Sequence, residues 1–292
     1  MTLSPSVSPA IIDHVAPLIG GYDVVLSDVW GVVHNGVAAF PEACDALARF
    51  RTGGGAVVLI TNAPRPSAAV IRMLDRLAVP RAAYDAIVSS GDVTRGVIAE
   101  RRGQSVLQIG PERDHSIFDG LGVVFAPVET ADYVVCTGLF DDERETADDY
   151  RDLLASMLAR KLFMVCANPD IVVERGDKLV YCAGAIADLY ANMGGDVLYA
   201  GKPHAPIYDA AVAKAAAARK ADVARRRVLA IGDSVRTDLK GAQAYGIDCL
   251  FVTAGIHAEE LGARDNPNTK ALGEIFAAAG AAPKAVTRRL AW

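Results

Sequence analysis

The sequence predicts an α/β protein, a doubly wound parallel-sheet core with a smaller α/β cap domain inserted into it. Three observations carry this expectation. Short apolar runs read as strands buried on both faces, the habit of a parallel sheet. These runs alternate with helix-like segments, as βαβ units require. Two of them end in aspartate, Val24-Val25-Leu26-Ser27-Asp28 and Val228-Leu229-Ala230-Ile231-Gly232-Asp233. Ligands of such sheets bind beyond the carboxyl ends of the strands, so the two acids can converge on one cation. The chain between them must then leave the core and return.

With 292 residues, the chain is long enough for one large domain or two. It is 52% hydrophobic and 22% charged, with a net charge of −5. That balance is ordinary for a globular protein and supplies no basic face for a nucleic-acid polymer or a membrane surface. The run Arg225-Arg226-Arg227 is expected to be a solvated lead-in to a strand. Five cysteines, Cys44, Cys136, Cys166, Cys182 and Cys249, form no CxxC pair and are expected to be buried free thiols, which fits a reducing cytoplasm. The start, Met1-Thr2-Leu3-Ser4-Pro5, lacks the basic and apolar regions of a signal peptide. No uninterrupted apolar stretch is long enough to span a bilayer. The expectation is a soluble, cytoplasmic protein.

The elements follow in order. After the strand ending at Asp28 comes a loop with His34, Asn35 and Gly36. A helix is expected over 41–51, with Pro41 at its entry and Gly53-Gly54-Gly55 past its end. Because those glycines precede a strand, they are a helix stop and not a dinucleotide loop. The strand 56–60 ends in Thr61-Asn62, and helix 67–77, strand 84–89 and a helix to about 102 complete the first half. The rhythm restarts with strands 105–109, 133–136 and 162–166. The acidic turn 141–145 is expected to open a long helix to about 161, since acids in a first turn favour the helix dipole. A helix at 185–193 leads to strand 197–199, and helix 206–219 leads to the strand carrying Asp233. Core boundaries at 1–103 and 197–292, with a cap at 104–196, follow from this order. The Ala/Pro-rich tail from Ala277 to Trp292 is expected to be loosely held.

Four strand ends carry chemistry. Asp28 is a candidate nucleophile, because a carboxylate can attack phosphorus and split one hard step into two easier ones. Capping the next turn is its alternative role. In Gly232-Asp233-Ser234-Val235-Arg236-Thr237-Asp238, Asp233 suits a hard cation such as Mg²⁺, and Asp238 suits a supporting position, with a helix N-cap as the alternative. Thr61 and Asn62 offer a hydroxyl and an amide for phosphate oxygens. Lys202, in Gly201-Lys202-Pro203-His204, offers a cation that can neutralise nucleophile and phosphate. Each of these three has the plainer alternative of an ordinary turn or surface residue.

Taken together, the order Asp, Thr-Asn, Lys, Gly-Asp-x4-Asp resembles the haloacid dehalogenase (HAD) superfamily, and within it the class IIA phosphatases, whose cap lies between the second and third motifs. Gly201-Lys202-Pro203 and the segment Ala167-Asn168-Pro169-Asp170, followed by Gly184-Ala185, carry the narrower likeness. The resemblance implies that Asp28 is the nucleophile and an Mg²⁺ ligand. It adds the main-chain carbonyl of Trp30 and the carboxylate of Asp233 as further ligands, with Asp238 supporting them. Thr61, Asn62 and Lys202 would hold the phosphoryl group, and Asn168, Asp170 and Arg175 would close over the leaving group. It also implies a homodimer formed through the cap.

The departure from the family is Trp30. Most relatives have an aspartate there that protonates the leaving oxygen. Such catalysis is typically worth roughly 10²–10⁴-fold. Either another group substitutes, with His34 the nearest in sequence, or the leaving group needs no proton, as in an acyl or aryl phosphate. In a third alternative the protein binds a phosphorylated ligand and turns it over poorly. The expected function is therefore an Mg²⁺-dependent phosphohydrolase for a small phosphorylated metabolite, with a weakly catalytic binding or regulatory protein as its rival.

Overall fold

Strands form where the apolar runs fall. In chain order they are β1 (Ala10–Ile12), β2 (Val24–Asp28), β3 (Ala56–Thr61), β4 (Ala86–Ser89), β5 (Ser105–Ile109), β6 (Val124–Phe125), β7 (Tyr133–Cys136), β8 (Phe163–Cys166), β9 (Val172–Arg175), β10 (Lys178–Tyr181), β11 (Val197–Tyr199), β12 (Val228–Gly232), β13 (Asp248–Val252) and β14 (Ala285–Thr287). The structure, a computed structural model, describes residues 9–175, 178–258, 261 and 268–292. Residues 1–5, which bear on the signal-peptide expectation, lie outside them.

The chain divides into two compact units. The first comprises 1–60, 73–87 and 211–292, and the second comprises 61–72 and 88–210. These bounds differ from the expected insert of 104–196.

The first unit is built on a seven-stranded sheet in the order β1-β14-β13-β12-β2-β3-β4. The pairings β1–β14, β14–β13, β13–β12, β12–β2 and β2–β3 are all parallel. Every residue of β2 and of β12 is buried, which is why both read as continuous apolar runs. From β2 the chain proceeds outward to β3 and β4, whereas from β12 it proceeds the other way to β13 and β14. The strand order therefore reverses between β2 and β12, and a crevice opens at such a switch point. The register Ile231↔Ser27 sets Asp28 and Asp233 just past the last pair of these neighbouring strands.

The second unit has its own parallel sheet in the order β11-β8-β7-β5-β6, together with the antiparallel pair β9–β10. Alternate residues of β7 serve different cores, Val134 and Cys136 one and Tyr133 and Val135 the other, so the sheet is covered on both faces. The strand leading to Lys202 is β11, and it lies at the edge of this sheet beside β8, not in the core sheet with which residues 197–199 were grouped from sequence.

Two local expectations are corrected. The acidic turn 141–145 does not open the following helix. Thr146 does, through a capping box with Asp149, followed by a short 3-10 turn and the helix Arg151–Ala159. Glu145 instead accepts hydrogen bonds from the Tyr150 hydroxyl at 2.6 Å and the Asp141 amide at 2.9 Å. The C-terminal tail is not loose. Strand β14 sits buried between β1 and β13, Leu290 is 1% exposed, and the Val15 amide donates to the Ala291 carbonyl at 2.8 Å.

All five cysteines are buried, and none is joined in a disulfide. The arginine run forms a 3-10 lead-in to β12 but is tethered as well as solvated, with Arg227 paired to Asp23 at 2.8 Å and Arg225 over the Tyr245 ring at 4.2 Å. No described helix is long and apolar enough to cross a membrane. The tail's anchoring makes Leu290→Ala a core truncation, expected to cost about 2–5 kcal/mol in urea unfolding. A change within the roughly 0.5 kcal/mol usual for surface sites would show that the tail is not part of the core.

Candidate functional site

In the first unit Asp28, Asp233 and Asp238 each bring one carboxylate oxygen within 4.8 Å of the others. All three are buried, at 8%, 4% and 2% exposure. Asp28 and Asp233 meet through the β2–β12 register. Asp238 is carried back by the five-residue π-turn Val235–Leu239, capped by Ser234, whose hydroxyl accepts from the Thr237 amide at 3.3 Å. Ser234, not Asp233, is therefore the N-cap, and the capping alternative for Asp233 falls away. The carboxylates are held by main-chain amides. Val29 donates to Asp28 Oδ1 at 2.7 Å, Ile256 to Asp233 Oδ2 at 2.8 Å, and Ser234 to Asp238 Oδ2 at 3.1 Å. The backbone approaches so closely that a Cβ at Gly31, where φ is +80°, or at Gly255 would overlap the Asp233 carboxylate.

Three buried carboxylates this close repel one another, and a cation among them would relieve that repulsion. An all-oxygen, negatively charged donor set fits a hard divalent ion such as Mg²⁺. Among the described backbone hydrogen bonds none ends on the Trp30 carbonyl.

Trp30 follows Asp28 by two residues and is 50% exposed. Its ring meets the His34 ring edge to face at 5.3 Å, and it lies so close over Gly36 that a Cβ there would collide with it. His34 is fully buried, and its Nδ1 accepts from the Gly36 amide at 2.8 Å. Burial pushes its pKa down to about 4. At neutral pH the imidazole is uncharged and one nitrogen is spent inside the loop. His34 therefore braces the 30–36 turn through Nδ1, while Nε2, which carries the hydrogen when Nδ1 accepts, is buried with no hydrogen-bond partner.

The second unit holds the other expected residues. Asn62 is buried, and its amide is fully engaged. Oδ1 accepts from the Lys202 amide at 2.7 Å, and Nδ2 donates to the Lys202 carbonyl and to Asp170 Oδ1, both at 3.0 Å. With both hydrogens committed, the Asn62 side chain has none left for a phosphate, and its observable work is to fix Lys202 and Asp170. Lys202 is buried at the end of the segment after β11. Asn168 Oδ1 accepts from the Asp170 amide at 3.1 Å, which shapes the turn after β8. Thr61 Oγ1 accepts from the Ala63 amide at 3.3 Å. Arg175 ends β9 opposite Lys178, and its side chain falls outside the described residues.

Sequence reasoning missed the support from Gly255 and Ile256. The signal was present, since Thr253-Ala254-Gly255 follows the apolar run of β13. It also missed the clamp formed by Asn62, which generates a prediction. Asn62→Ala strands both main-chain groups of Lys202, an expected loss of about 1–3 kcal/mol. The Lys202 amide should then exchange hydrogen much faster than in the parent, as read by mass spectrometry; unchanged protection would contradict the clamp.

Comparison with known proteins is consistent with this geometry. A haloacid dehalogenase-like hydrolase model matches residues 25–124, and a second HAD-hydrolase-like model matches residues 199–279. The crystal structure of a haloacid dehalogenase-like hydrolase from Brucella suis 1330 is 44% identical, with 96% of this chain and 99% of that one covered and a TM-score of 0.82. A 4-nitrophenylphosphatase from Thermotoga maritima shares the fold at 22% identity, with 92% and 94% covered and a TM-score of 0.70. The 5'-nucleotidase YutF of Bacillus subtilis (strain 168) is 24% identical over 243 residues, 82% of this chain and 90% of that protein. As its motifs led one to expect, the chain belongs to the haloacid dehalogenase-like family of hydrolases.

Proposed function

We propose that the protein is a phosphohydrolase that removes the phosphoryl group from a small metabolite through an aspartyl-phosphate on Asp28. The observation that carries this reading is the convergence of three buried carboxylates at the switch point of the first sheet, one of them at the end of β2. The names of the relatives, a 4-nitrophenylphosphatase and a 5'-nucleotidase, support phosphoric monoesters as the substrate class.

In this reading the Asp28 carboxylate attacks phosphorus, and water then hydrolyses the acyl phosphate. Asp28, Asp233, the Trp30 carbonyl and, in support, Asp238 would hold Mg²⁺, which when bound neutralises charge on the transferring phosphoryl group. Thr61 would donate a hydrogen bond to a phosphate oxygen, and Lys202 would add positive charge, its loop fixed by Asn62. Asn168, Asp170 and Arg175 would choose the leaving group. A cytoplasmic place of action and a homodimer formed through the middle segment belong to the same reading.

A second reading, a binding or regulatory module, is favoured by one observation. Trp30 stands where a proton donor is usual, and the nearby His34 is sequestered and neutral.

Two variants test these readings. Asp28→Asn should reduce hydrolysis of 4-nitrophenyl phosphate to background, as should removal of divalent ions by chelation; undiminished turnover in the variant would refute the assignment. Trp30→Asp should raise turnover of alkyl phosphates by about 10²–10⁴-fold if the site lacks only its acid. Binding without turnover in both the parent and Trp30→Asp would favour the second reading.

A further inference from the structure

Trp30 is fastened on both sides. Asp28 belongs to the carboxylate cluster, and Gly31 lies directly against the Asp233 carboxylate. Its ring is braced by the buried edge of His34 and by Gly36, yet half of the residue remains exposed. A large aromatic side chain held rigid beside a polar site offers a ready stacking face to a ligand. The first unit exposes only four large hydrophobic residues among those described: Ile11, Trp30, Val37 and Ile256. Three of these adjoin the site. Val37 follows Gly36, against which the indole packs, and Ile256 donates its amide to Asp233. These residues lie on the two segments, 28–37 and 255–256, that pack against the carboxylate cluster. A flat aromatic ring has a stacking partner in this exposed, braced indole.

We infer that Trp30 is a specificity-determining residue whose indole stacks on the leaving group, so that the substrates are phosphate monoesters of phenols, in which the ester oxygen is borne directly on an aromatic ring. This rests on the phosphohydrolase reading above and names its substrate class. The chemistry agrees with the residue lost. An Asp28 carboxylate oxygen forms a bond to phosphorus as the bond from phosphorus to the aryl oxygen breaks, and the electron pair leaves on that oxygen, delocalised into the ring. The aryloxide takes its proton from solvent. Water then adds to the phosphorus of the acyl phosphate, its oxygen leaves in inorganic phosphate, one of its protons goes to solvent, and Asp28 is regenerated. No side chain has to protonate the leaving group. One residue thus selects the ring that makes its own lack of an acid tolerable.

The test separates ring recognition from leaving-group ability by comparing 4-nitrophenyl phosphate with acetyl phosphate, whose leaving group needs no proton but has no ring. Trp30→Leu should lower the ratio of kcat/KM for the aryl over the acyl substrate by about ten- to a hundredfold, the scale of one aromatic stacking contact. The change should lie mainly in KM, and Trp30→Phe should restore most of it. An unchanged ratio overturns the inference. A binding measurement guards against a variant that fails to fold. The chain has two tryptophans, so Trp292→Phe leaves Trp30 as the sole indole. Its fluorescence should then be quenched saturably by phenyl phosphate and not by acetyl phosphate. Hydrolysis of both substrates with no quenching and no Trp30 dependence sinks the inference but keeps the phosphohydrolase reading. Saturable aryl-specific quenching with no hydrolysis overturns the phosphohydrolase reading and the substrate assignment with it, leaving Trp30 as a stacking contact in a binding site.

Discussion

Parallel pairing of β2 with β12 is the constraint on which the first unit's site depends. These two strands come from opposite ends of the chain, and their register alone decides that Asp28 and Asp233 emerge side by side. Both strands are buried throughout, so a slip of one residue would drive a serine or a carboxylate into the wrong environment. The β-strands thus convert hydrophobic burial, which is non-directional, into the placement of two charges. The π-turn after β12 then adds the third. Main-chain amides from three separate segments (Val29, Ser234 and Ile256) hold these oxygens in place. The glycines at 31 and 255 leave the room that such close packing needs.

The same logic governs the turn from 29 to 40. Its hydrogen bonds are local, with Gly31 donating to the His34 carbonyl at 2.8 Å and the Val37 and Ala38 amides donating to Asn35 Oδ1 at 3.0 and 2.9 Å. A buried neutral histidine is the post against which Trp30 leans. Burial keeps the His34 imidazole neutral at neutral pH while making it useful as scaffolding. In the second unit Asn62 plays a comparable structural part, reading both main-chain groups of Lys202 as another strand would. In both places polar side chains near the expected chemistry act on the backbone that carries it.

Much of this was legible in the sequence because buried parallel strands leave a plain trace. The runs ending at Asp28, Thr61 and Asp233 each became a strand, and the carboxylates past two of them met. Residues 197–199 were harder. A three-residue run says that a strand exists, but not which sheet it joins, and β11 joined β8 instead of the core. The tail misled for a related reason, since Ala and Pro enrichment hides the short strand Ala285–Thr287, which gains its order only from the neighbours that flank it. An amide such as that of Asn62 can serve a phosphate or a backbone equally well, so only the hydrogen-bond partners decide. For His34, nothing in its neighbours along the chain announces complete burial.

The claim on which the account turns is that Asp28, Asp233 and Asp238 hold one divalent cation between them. Titration calorimetry with Mg²⁺ on the intact protein and on Asp233→Asn tests it most directly, with thermal unfolding alongside, because an ion that binds only the folded state must also stabilise it. The account predicts one ion per chain, a rise in melting temperature with Mg²⁺, and loss of both in the variant. No binding, or binding and stabilisation that survive the substitution undiminished, would contradict it.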